Sequence, residues 1–212
     1  MNLSKIGIVK KENINKEKNE EIQNKKARTI LKLNSIEVFK AVDFLVDYKL
    51  ENEDLIHRHM YILDVGTRIG SAIKRFNQRG FKRTRGIDIS PGAIKNALKY
   101  DFNVRIENIE ENSDFEKDYF DVLFSRHMLE HCIDLNKAVN GMLNKLKKDG
   151  ILFLIVPINL KHEEFIPTHN YNFFKYDSLL KLILNIRPTM EILYYNVKMG
   201  SELEMWLVGR KC

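Results

Sequence analysis

The stretch YILDVGTRIG, residues 61–70, holds two of the ten glycines in this chain of 212 residues. The short apolar run YILDV predicts a buried strand, and GSAIKRFNQRG, residues 70–80, predicts a helix closed by Gly80. Gly66 and Gly70 bracket the turn between the strand and the helix. A strand, a glycine turn and a helix in this order predict one unit of an alternating α/β fold.

The same alternation continues along the chain. Further strands are predicted at TRGIDI (84–89), NVRIE (103–107), FDVLFS (120–125) and ILFLIVP (151–157). Ser90 and Pro91 are typical of a helix start, and Asp134 is the predicted cap of a later helix. Short apolar strands that alternate with helices form a parallel sheet that is covered on both faces.

The end of the chain departs from this alternation. The predicted strands EILYYNVK (191–198) and ELEMWLVGR (202–210) are separated only by MGS. A connection of three residues cannot cross over to a parallel position, so this pair must be antiparallel. The sequence therefore predicts an α/β fold with a doubly wound, mainly parallel sheet that ends in an antiparallel hairpin.

The first part of the chain predicts a separate arm. Residues 1–33 are highly charged and lack a sustained apolar period, whereas Asn34 followed by Glu37 is typical of a helix start. The helix that follows carries its apolar residues on one face: Ile36, Phe39, Val42, Leu45 and Val46. We therefore expect a charged N-terminal arm, 1–33, and one domain, 34–212, that includes this helix.

Composition excludes several classes of protein. Cys132 and Cys212 are too few for a disulfide framework, which indicates a reducing compartment. The longest purely apolar run, residues 151–156, is far too short to cross a bilayer, and residues 1–34 do not resemble a secretory signal. We expect a cytoplasmic protein without a membrane span.

Positive charge is concentrated in one region. The net charge is +6, and residues 61–100 contain nine Lys and Arg against two Asp and Glu. The cluster consists of Lys74, Arg75, Arg79, Lys82, Arg83 and Arg85. Such a cluster indicates either a nucleic-acid surface or a solvated helix face. Its position, at the helix end opposite the strand carboxyl ends, favours the solvated face.

The turn at Gly66 also predicts a ligand. Ligands of doubly wound sheets bind at the strand carboxyl ends, where Asp64 lies and where glycines leave room for a close approach. Asp88 ends the second strand and could accept both hydroxyl protons of a ribose. Since G-x-G-x-x-G is absent, with Arg68 between the glycines, a dinucleotide is disfavoured. The acidic residue ahead of the turn suits a positively charged, nucleoside-containing cofactor.

Four blocks of sequence carry a family resemblance. LDVGTRIG, GIDIS followed by PGAIKNA, FDVLFSRHMLEH and LKKDGILFLIVP resemble, in order, the class I S-adenosylmethionine-dependent methyltransferases of the type 11 group. The resemblance covers about residues 60–210, including the hairpin. It implies the seven-stranded Rossmann-like methyltransferase fold, S-adenosyl-L-methionine as cofactor, and methyl transfer as the reaction.

The resemblance also implies roles for particular residues. It assigns the methionine part of the cofactor to the glycine loop and to the end of the fourth strand: Asp64, Gly66, Thr67, Gly70 and Ser125. It assigns the ribose to Asp88, and the adenine to Ile89, Asn108 and Ile109. Arg68 replaces the usual middle glycine, so its side chain must point away from the cofactor or reach over it.

The acceptor is less well defined by the sequence. The long loop 157–176 resembles a lid, and its aromatic residues favour a small-molecule or glycan-like acceptor. Nucleic-acid and protein acceptors are the alternative. If the acceptor must lose a proton, His127 and His169 are the candidate bases, and we expect no metal site.

Two features of the sequence suggest other functions. Residues 127–131, HMLEH, match the H-x-x-E-H signature of inverted zinc proteases, which places both histidines on one face of a long helix. The strand directly before the motif and the small size of the chain disfavour that hydrolase. Arg68 favours a second alternative, a catalytically silent homologue that binds the cofactor without turnover.

Overall fold

The computed structural model describes residues 2–11, 35–111, 116–160, 168–199 and 202–212. Its strands are β1 (Ile8–Lys10), β2 (Lys49–Leu50), β3 (Glu53–Asp54), β4 (Ile62–Val65), β5 (Thr84–Asp88), β6 (Val104–Ile106), β7 (Phe120–Arg126), β8 (Leu146–Pro157), β9 (Tyr171–Phe173), β10 (Glu191–Met199) and β11 (Leu203–Arg210). Its helices are α1 (Ile36–Asp47), α2 (Ser71–Gln78), α3 (Pro91–Ala97), α4 (Leu135–Lys145) and α5 (Ser178–Ile186). Short 3-10 turns lie at Ser4–Ile6, Leu98–Tyr100 and Leu129–His131.

Within the described residues, seven strands form the central sheet in the order β10-β11-β8-β7-β4-β5-β6. The strands β4 to β8 are parallel, whereas β11 runs antiparallel to both β8 and β10. This order confirms the doubly wound, mainly parallel sheet that ends in an antiparallel hairpin. Because β4 lies between β5 and β7, the strand order reverses there, and a crevice for ligands is expected at the carboxyl ends of these strands.

Two apolar layers cover the sheet. Neighbouring residues of β4 point to opposite faces: Ile62 packs with α1 and α2, and Leu63 packs with α4 and α5. All four residues of β4 are buried, as expected for a parallel strand covered on both sides. None of the helices in the described ranges is long and apolar enough to span a bilayer.

Side-chain caps fix the starts of three helices. The Ser90 hydroxyl accepts a hydrogen bond from the Ala93 backbone N–H at 3.2 Å, and Asp134 accepts one from Lys137 at 3.1 Å. Both caps were predicted. The cap of α1 is Ser35, which accepts from the Val38 N–H at 3.4 Å, while the predicted start at Asn34 lies outside the described residues.

The first residues of the chain differ from the expected arm. Strand β1 pairs antiparallel with β9, and the Ile8 side chain is completely buried in the core. A strand of three residues is too short to show the alternation of apolar and polar residues, and its partner is remote in sequence. The sequence pattern therefore does not predict β1. Residues 2–11 thus pack on the domain, and the domain boundary at 33–34, which falls among residues outside the description, stays a prediction.

Acidic partners account for much of the basic cluster. Arg75 and Arg79, on α2, each lie 2.7 Å from Asp43 on α1, and Arg79 also contacts Asp47. On β5, Arg85 contacts Glu116. The pairs with Asp43 and Asp47 join α1 to α2, and the pair with Glu116 joins β5 to the segment before β7, which agrees with a structural role for the cluster.

Replacing Gly70 with alanine should lower the free energy of unfolding by about 1–3 kcal/mol. Gly70 caps α2 at φ +86°, and an added Cβ would lie 2.4 Å from the Phe102 ring. The control is Gly92→Ala in α3, where the nearest atom would be 3.9 Å away; it should leave stability unchanged or raise it by up to about 1 kcal/mol. Urea unfolding measures both, and equal losses would contradict this account.

Candidate functional site

Two cavities open at the carboxyl ends of β4, β5 and β7. The first encloses about 740 Å³ of empty space, partly open to solvent, and is bounded by residues 87–90, 107–110 and the segment after β7. The second, of about 1180 Å³, lies between the start of α1, at residues 35–38, and the glycine turn. Gly66, Arg68 and His127 line both cavities, so the two meet at these residues.

The glycine turn owes its shape mainly to backbone geometry. The Gly66 and Thr67 N–H groups both donate to the Ile87 carbonyl, at 2.9 and 3.0 Å, and Gly66 has φ +78°. Gly66 lines both cavities, whereas Gly70 is absent from the lining of either and instead packs beside Phe102. Positive φ and close packing explain both glycines, since a Cβ at Gly66 would lie 2.9 Å from Met128, and Gly66 in addition borders the cavities.

Arg68 lies at the boundary between the cavities. It is exposed and adopts φ +52°, and its backbone N–H donates to Asp88 Oδ2 at 2.9 Å. The Ser90 N–H donates to the other carboxylate oxygen, Oδ1, also at 2.9 Å. Burial raises the pKa of Asp88, and these two backbone donors oppose the rise. Each oxygen has two lone pairs, so the carboxylate can still accept one further hydrogen bond per oxygen.

Asp64 is the most deeply buried acidic group of the turn. Its side chain is 3% exposed and lines the second cavity. Burial raises the pKa of this carboxyl to about 7; the Thr67 hydroxyl lowers it and the nearby Asp88 raises it further. Among the described residues, Asp64 Oδ2 has no hydrogen-bond partner. A buried carboxylate oxygen at a cavity wall suits a positively charged ligand group.

The other predicted cofactor residues differ in whether they line a cavity. Ile89, Asn108 and Ile109 line the first cavity beside Asp88, and Thr67 lines the second. Ser125 belongs to the lining of neither cavity: it is 2% exposed and its hydroxyl donates to the Val65 carbonyl at 2.9 Å. In this structure Ser125 ties β7 to β4.

Further residues of the first cavity were not predicted. These are Ser90, Ala93, Glu107, Glu110, Met128, His131 and Cys132. Glu110 accepts hydrogen bonds from the Ile133 and Asp134 N–H groups, and burial raises its pKa. Glu107 and Glu110 could have been predicted, since Glu107 ends a predicted strand at the ligand edge and Glu110 comes soon after it. The family resemblance assigns Asn108 and Ile109 to the adenine and implies no role for the carboxylates on either side of them.

The two candidate bases occupy different places. His127 lines both cavities, has φ +53°, and its Nε2 lies 2.7 Å from Glu204 Oε1. Its Nδ1 lies 3.3 Å from Glu202. His169 is buried and packs its ring on His131, and it is not among the lining residues of either cavity. His127 is therefore the better placed of the two for chemistry at the junction.

Glu204 contacts the imidazole of His127 from strand β11, which β8 separates from β7. The Glu204 side chain is 2% exposed, contacts Arg126, and accepts a hydrogen bond from Trp206 Nε1 at 2.9 Å. Burial alone would raise the pKa of Glu204, but His127, Arg126 and Trp206 lower it to about 2. Glu204 is thus a buried carboxylate in close contact with His127, and sequence analysis missed it.

The H-x-x-E-H segment does not form the helix that a zinc protease needs. Residues Leu129–His131 form a 3-10 turn. The two histidines of the segment also turn to different partners, because His127 faces Glu204 whereas His131 faces His169. The geometry of that hydrolase signature is therefore not reproduced.

Comparisons with known proteins agree with this architecture. Residues 63–154, from β4 to β8, match the family model described as "Methyltransferase domain". A chain from the Haloferax volcanii complex that contains the Trm112 methyltransferase activator is 13% identical, with a TM-score of 0.69, over 93% of this chain and 98% of that one. No match was found among curated proteins.

Two further solved structures share the fold. A SAM-dependent methyltransferase from Methanosarcina mazei is 19% identical, with a TM-score of 0.61, over 78% of this chain and 98% of that one. Geranyl diphosphate methyltransferase in complex with SAM is 12% identical, with a TM-score of 0.64, over 82% of this chain and 85% of that one. At such identities the structures establish the fold, and the family match identifies the methyltransferase domain.

Proposed function

We propose that this class I S-adenosylmethionine-dependent methyltransferase methylates a hydroxyl group of a small-molecule or glycan-like acceptor. The observation that carries the proposal is the position of His127 where the two cavities meet, held by Glu204 at 2.7 Å. The methyl group of a donor that extends from the first cavity toward Asp64, and an acceptor that enters through the second cavity, would come together beside this imidazole. Methyl transfer depends mainly on such positioning, and a hydroxyl acceptor also needs a base.

The first cavity fits the adenosine part of the cofactor. We assign the ribose hydroxyls to the Asp88 carboxylate, and the adenine to the wall formed by Ile89, Asn108 and Ile109. Asp64 Oδ2, buried at the glycine turn, suits the ammonium group of the methionine part. When bound, S-adenosylmethionine supplies an electrophilic methyl carbon on a positively charged sulfur.

His127 can take the acceptor proton at Nδ1. We assign the ring proton to Nε2, the nitrogen that lies 2.7 Å from the Glu204 carboxylate, which leaves the lone pair on Nδ1. Glu202, which faces Nδ1, is 43% exposed and can give way to an acceptor at little cost. Glu204 acts as a positioning residue, since it touches the base and lies on the side of the ring away from Nδ1.

The surroundings of the second cavity favour a small acceptor. It contains charged groups of both signs, among them Glu37, Arg68 and Arg126, and so lacks the uniform positive charge of a nucleic-acid channel. The arginines Arg75 and Arg79 are paired with acids at the opposite end of the strands. Nucleic-acid and protein acceptors remain the second choice, which the acceptor screen tests.

We also assign the protein to the cytoplasm. Its two cysteines, Cys132 and Cys212, are both free thiols, as in proteins of reducing compartments.

A screen with methyl-labelled cofactor tests the acceptor. Pools of hydroxylated small molecules, glycans, nucleic acids and proteins are incubated with the protein, and transferred label is counted. We expect label on a hydroxylated small molecule or glycan. Label on nucleic acid alone would overturn the acceptor assignment, and tight binding of the cofactor without transfer to any pool would support the catalytically silent alternative.

The affinity for S-adenosylmethionine should rise about tenfold between pH 6 and pH 8. Burial holds the pKa of Asp64 at about 7, so the carboxyl is mostly protonated at pH 6 and mostly ionised at pH 8. Only the ionised form can pair with an ammonium group. Calorimetry at both pH values measures the ratio. Asp64→Asn should bind more weakly and lose this pH dependence; an unchanged pH dependence in the variant would refute the role of Asp64.

A further inference from the structure

A cluster of metal-ligating side chains lies beside the first cavity. Glu130, His131 and His169 each offer one ligand atom, and these atoms lie within 4.8 Å of one another. His131 Nε2 is 3.7 Å from Glu130 Oε1, and the two imidazole rings meet at 81° with their centroids 4.9 Å apart. The three side chains therefore converge on one point.

The protonation of His131 suits a metal ligand. Its Nδ1 lies 2.8 Å from the Thr168 carbonyl oxygen, an acceptor that requires the proton on Nδ1. The lone pair of the neutral ring is then on Nε2, the nitrogen nearest Glu130. Histidines that bind metals are held in this way, with the other ring nitrogen donating to a carbonyl or carboxylate.

Backbone contacts fix both sides of the cluster. The Asn170 N–H donates to the Glu130 carbonyl at 2.8 Å, and the Asn170 side-chain amide donates to the His131 carbonyl at 2.8 Å. Tyr171 Oη donates to the Ile133 carbonyl at 2.7 Å. The turn after β7 and the segment leading into β9 are thus joined, so the backbone that carries the three ligands is fixed before any ion binds.

We propose that Glu130, His131 and His169 bind one divalent transition-metal ion, with Zn²⁺ as the best fit to the donor set. Two imidazoles and one carboxylate are the ligands of many zinc sites that keep a position open for another ligand. Glu130 is 1% exposed and His169 is 8% exposed, so an ion bound there would be shielded from bulk water. Because His131 also lines the first cavity, the ion would stand at the cavity wall.

The other group of possible ligands is less suitable. His127, Glu202 and Glu204 also lie close enough to share an ion. Glu204, however, already contacts Arg126 and accepts from Trp206. A cation would have to compete with the arginine for the same carboxylate, so we place the ion at His131 and His169.

Metal titration of the full chain tests the site. Protein freed of metal with a chelator is titrated with Zn²⁺ in competition with a coloured indicator, and Co²⁺ is used as a spectroscopic probe. We expect one ion per chain, with a visible Co²⁺ spectrum typical of nitrogen and oxygen ligands. His131→Ala, His169→Gln and Glu130→Gln should each weaken Zn²⁺ binding by at least about tenfold.

The matched controls are histidines outside the cluster. His57→Ala, at an exposed residue that stacks on His59, should leave Zn²⁺ affinity unchanged, as should His127→Asn. Circular dichroism confirms that each variant is folded, and His169→Gln keeps the test usable if His131→Ala fails to fold. Lack of binding by the folded wild-type chain would overturn the proposal. Loss of binding in His127→Asn, with binding retained in His169→Gln, would also overturn it.

Calorimetry with S-adenosylhomocysteine on the same proteins separates this proposal from the proposed function. If the wild-type chain binds S-adenosylhomocysteine but no metal, the metal site fails and the methyltransferase assignment of the cavities stands. If it binds metal but not S-adenosylhomocysteine, the cavity assignment fails and the metal site stands.

Discussion

Replacing His127 with asparagine is expected to lower kcat by about 10²–10⁴ while the affinity for S-adenosylhomocysteine stays the same. A base acts on the chemical step, so its loss leaves binding unaffected. Asparagine is the replacement of choice because His127 has φ +53°, and asparagine tolerates this left-handed conformation better than alanine does. Steady-state kinetics with the acceptor found in the screen, together with calorimetry, measure the two quantities.

The positioning residue Glu204 provides a second test of the same idea. Glu204→Gln keeps the shape of the side chain but removes the charge that faces Nε2 of His127. It should lower kcat less than His127→Asn and shift the pH profile of kcat, whereas His57→Ala should change neither. Full turnover in His127→Asn would show that no histidine base is needed. An amine, thiol or carboxylate acceptor would then replace the hydroxyl.

Removing Arg126 should destabilise the fold by about 3–5 kcal/mol. Arg126 is 12% exposed and contacts Glu204, which is 2% exposed, so Arg126→Ala leaves a carboxylate buried beside His127 and Trp206 without its permanent cation. The control is Lys181→Ala, which breaks a surface pair with Asp177 and should cost at most about 1 kcal/mol. Urea unfolding at pH 7 measures both changes, and a loss of under about 1 kcal/mol for Arg126→Ala would contradict the assigned role.

Acid should weaken the same interaction. The pKa of Glu204 is about 2 in the folded chain against an ordinary 4.5, so its ionisation stabilises the fold above pH 4.5. That contribution, about 3 kcal/mol, is lost as the pH falls from about 4.5 to about 2. Stability curves of Glu204→Gln should lack this component. If the variant and the wild-type chain lose stability in parallel over that range, Glu204 is not the group responsible.

The sequence predicted the sheet well where strands are buried on both faces. Strands β4 and β7 are continuous apolar runs, and the short MGS connection forces the hairpin to be antiparallel. It failed where a strand is polar or very short. Strand β8 begins at Leu146, earlier than predicted. The charged residues Lys147, Lys148 and Asp149 interrupt the apolar pattern at its start, so the pattern there does not predict a strand.

The sequence predicted those site residues that lie next to a predicted strand, and it missed those that depend on contacts between remote segments. Asp64 and Asp88 lie near the ends of predicted strands and Gly66 follows one, and the structure brings all three to the cavities. Glu204 could not be predicted, since it lies on an antiparallel strand and reaches His127 across 77 positions of sequence. The pairing of His131 with His169 depends in the same way on how remote segments fold together.

The pairing of β1 with β9 has a consequence for synthesis of the chain. Ile8 pairs with Phe173, which is 165 positions later, so the second residue of this pair leaves the ribosome long after the first. Until then the apolar residues around Ile8 have no strand to pair with, and the large loop must close before they are buried. Docking of the N-terminal segment is therefore a late event, and the central sheet can form ahead of it.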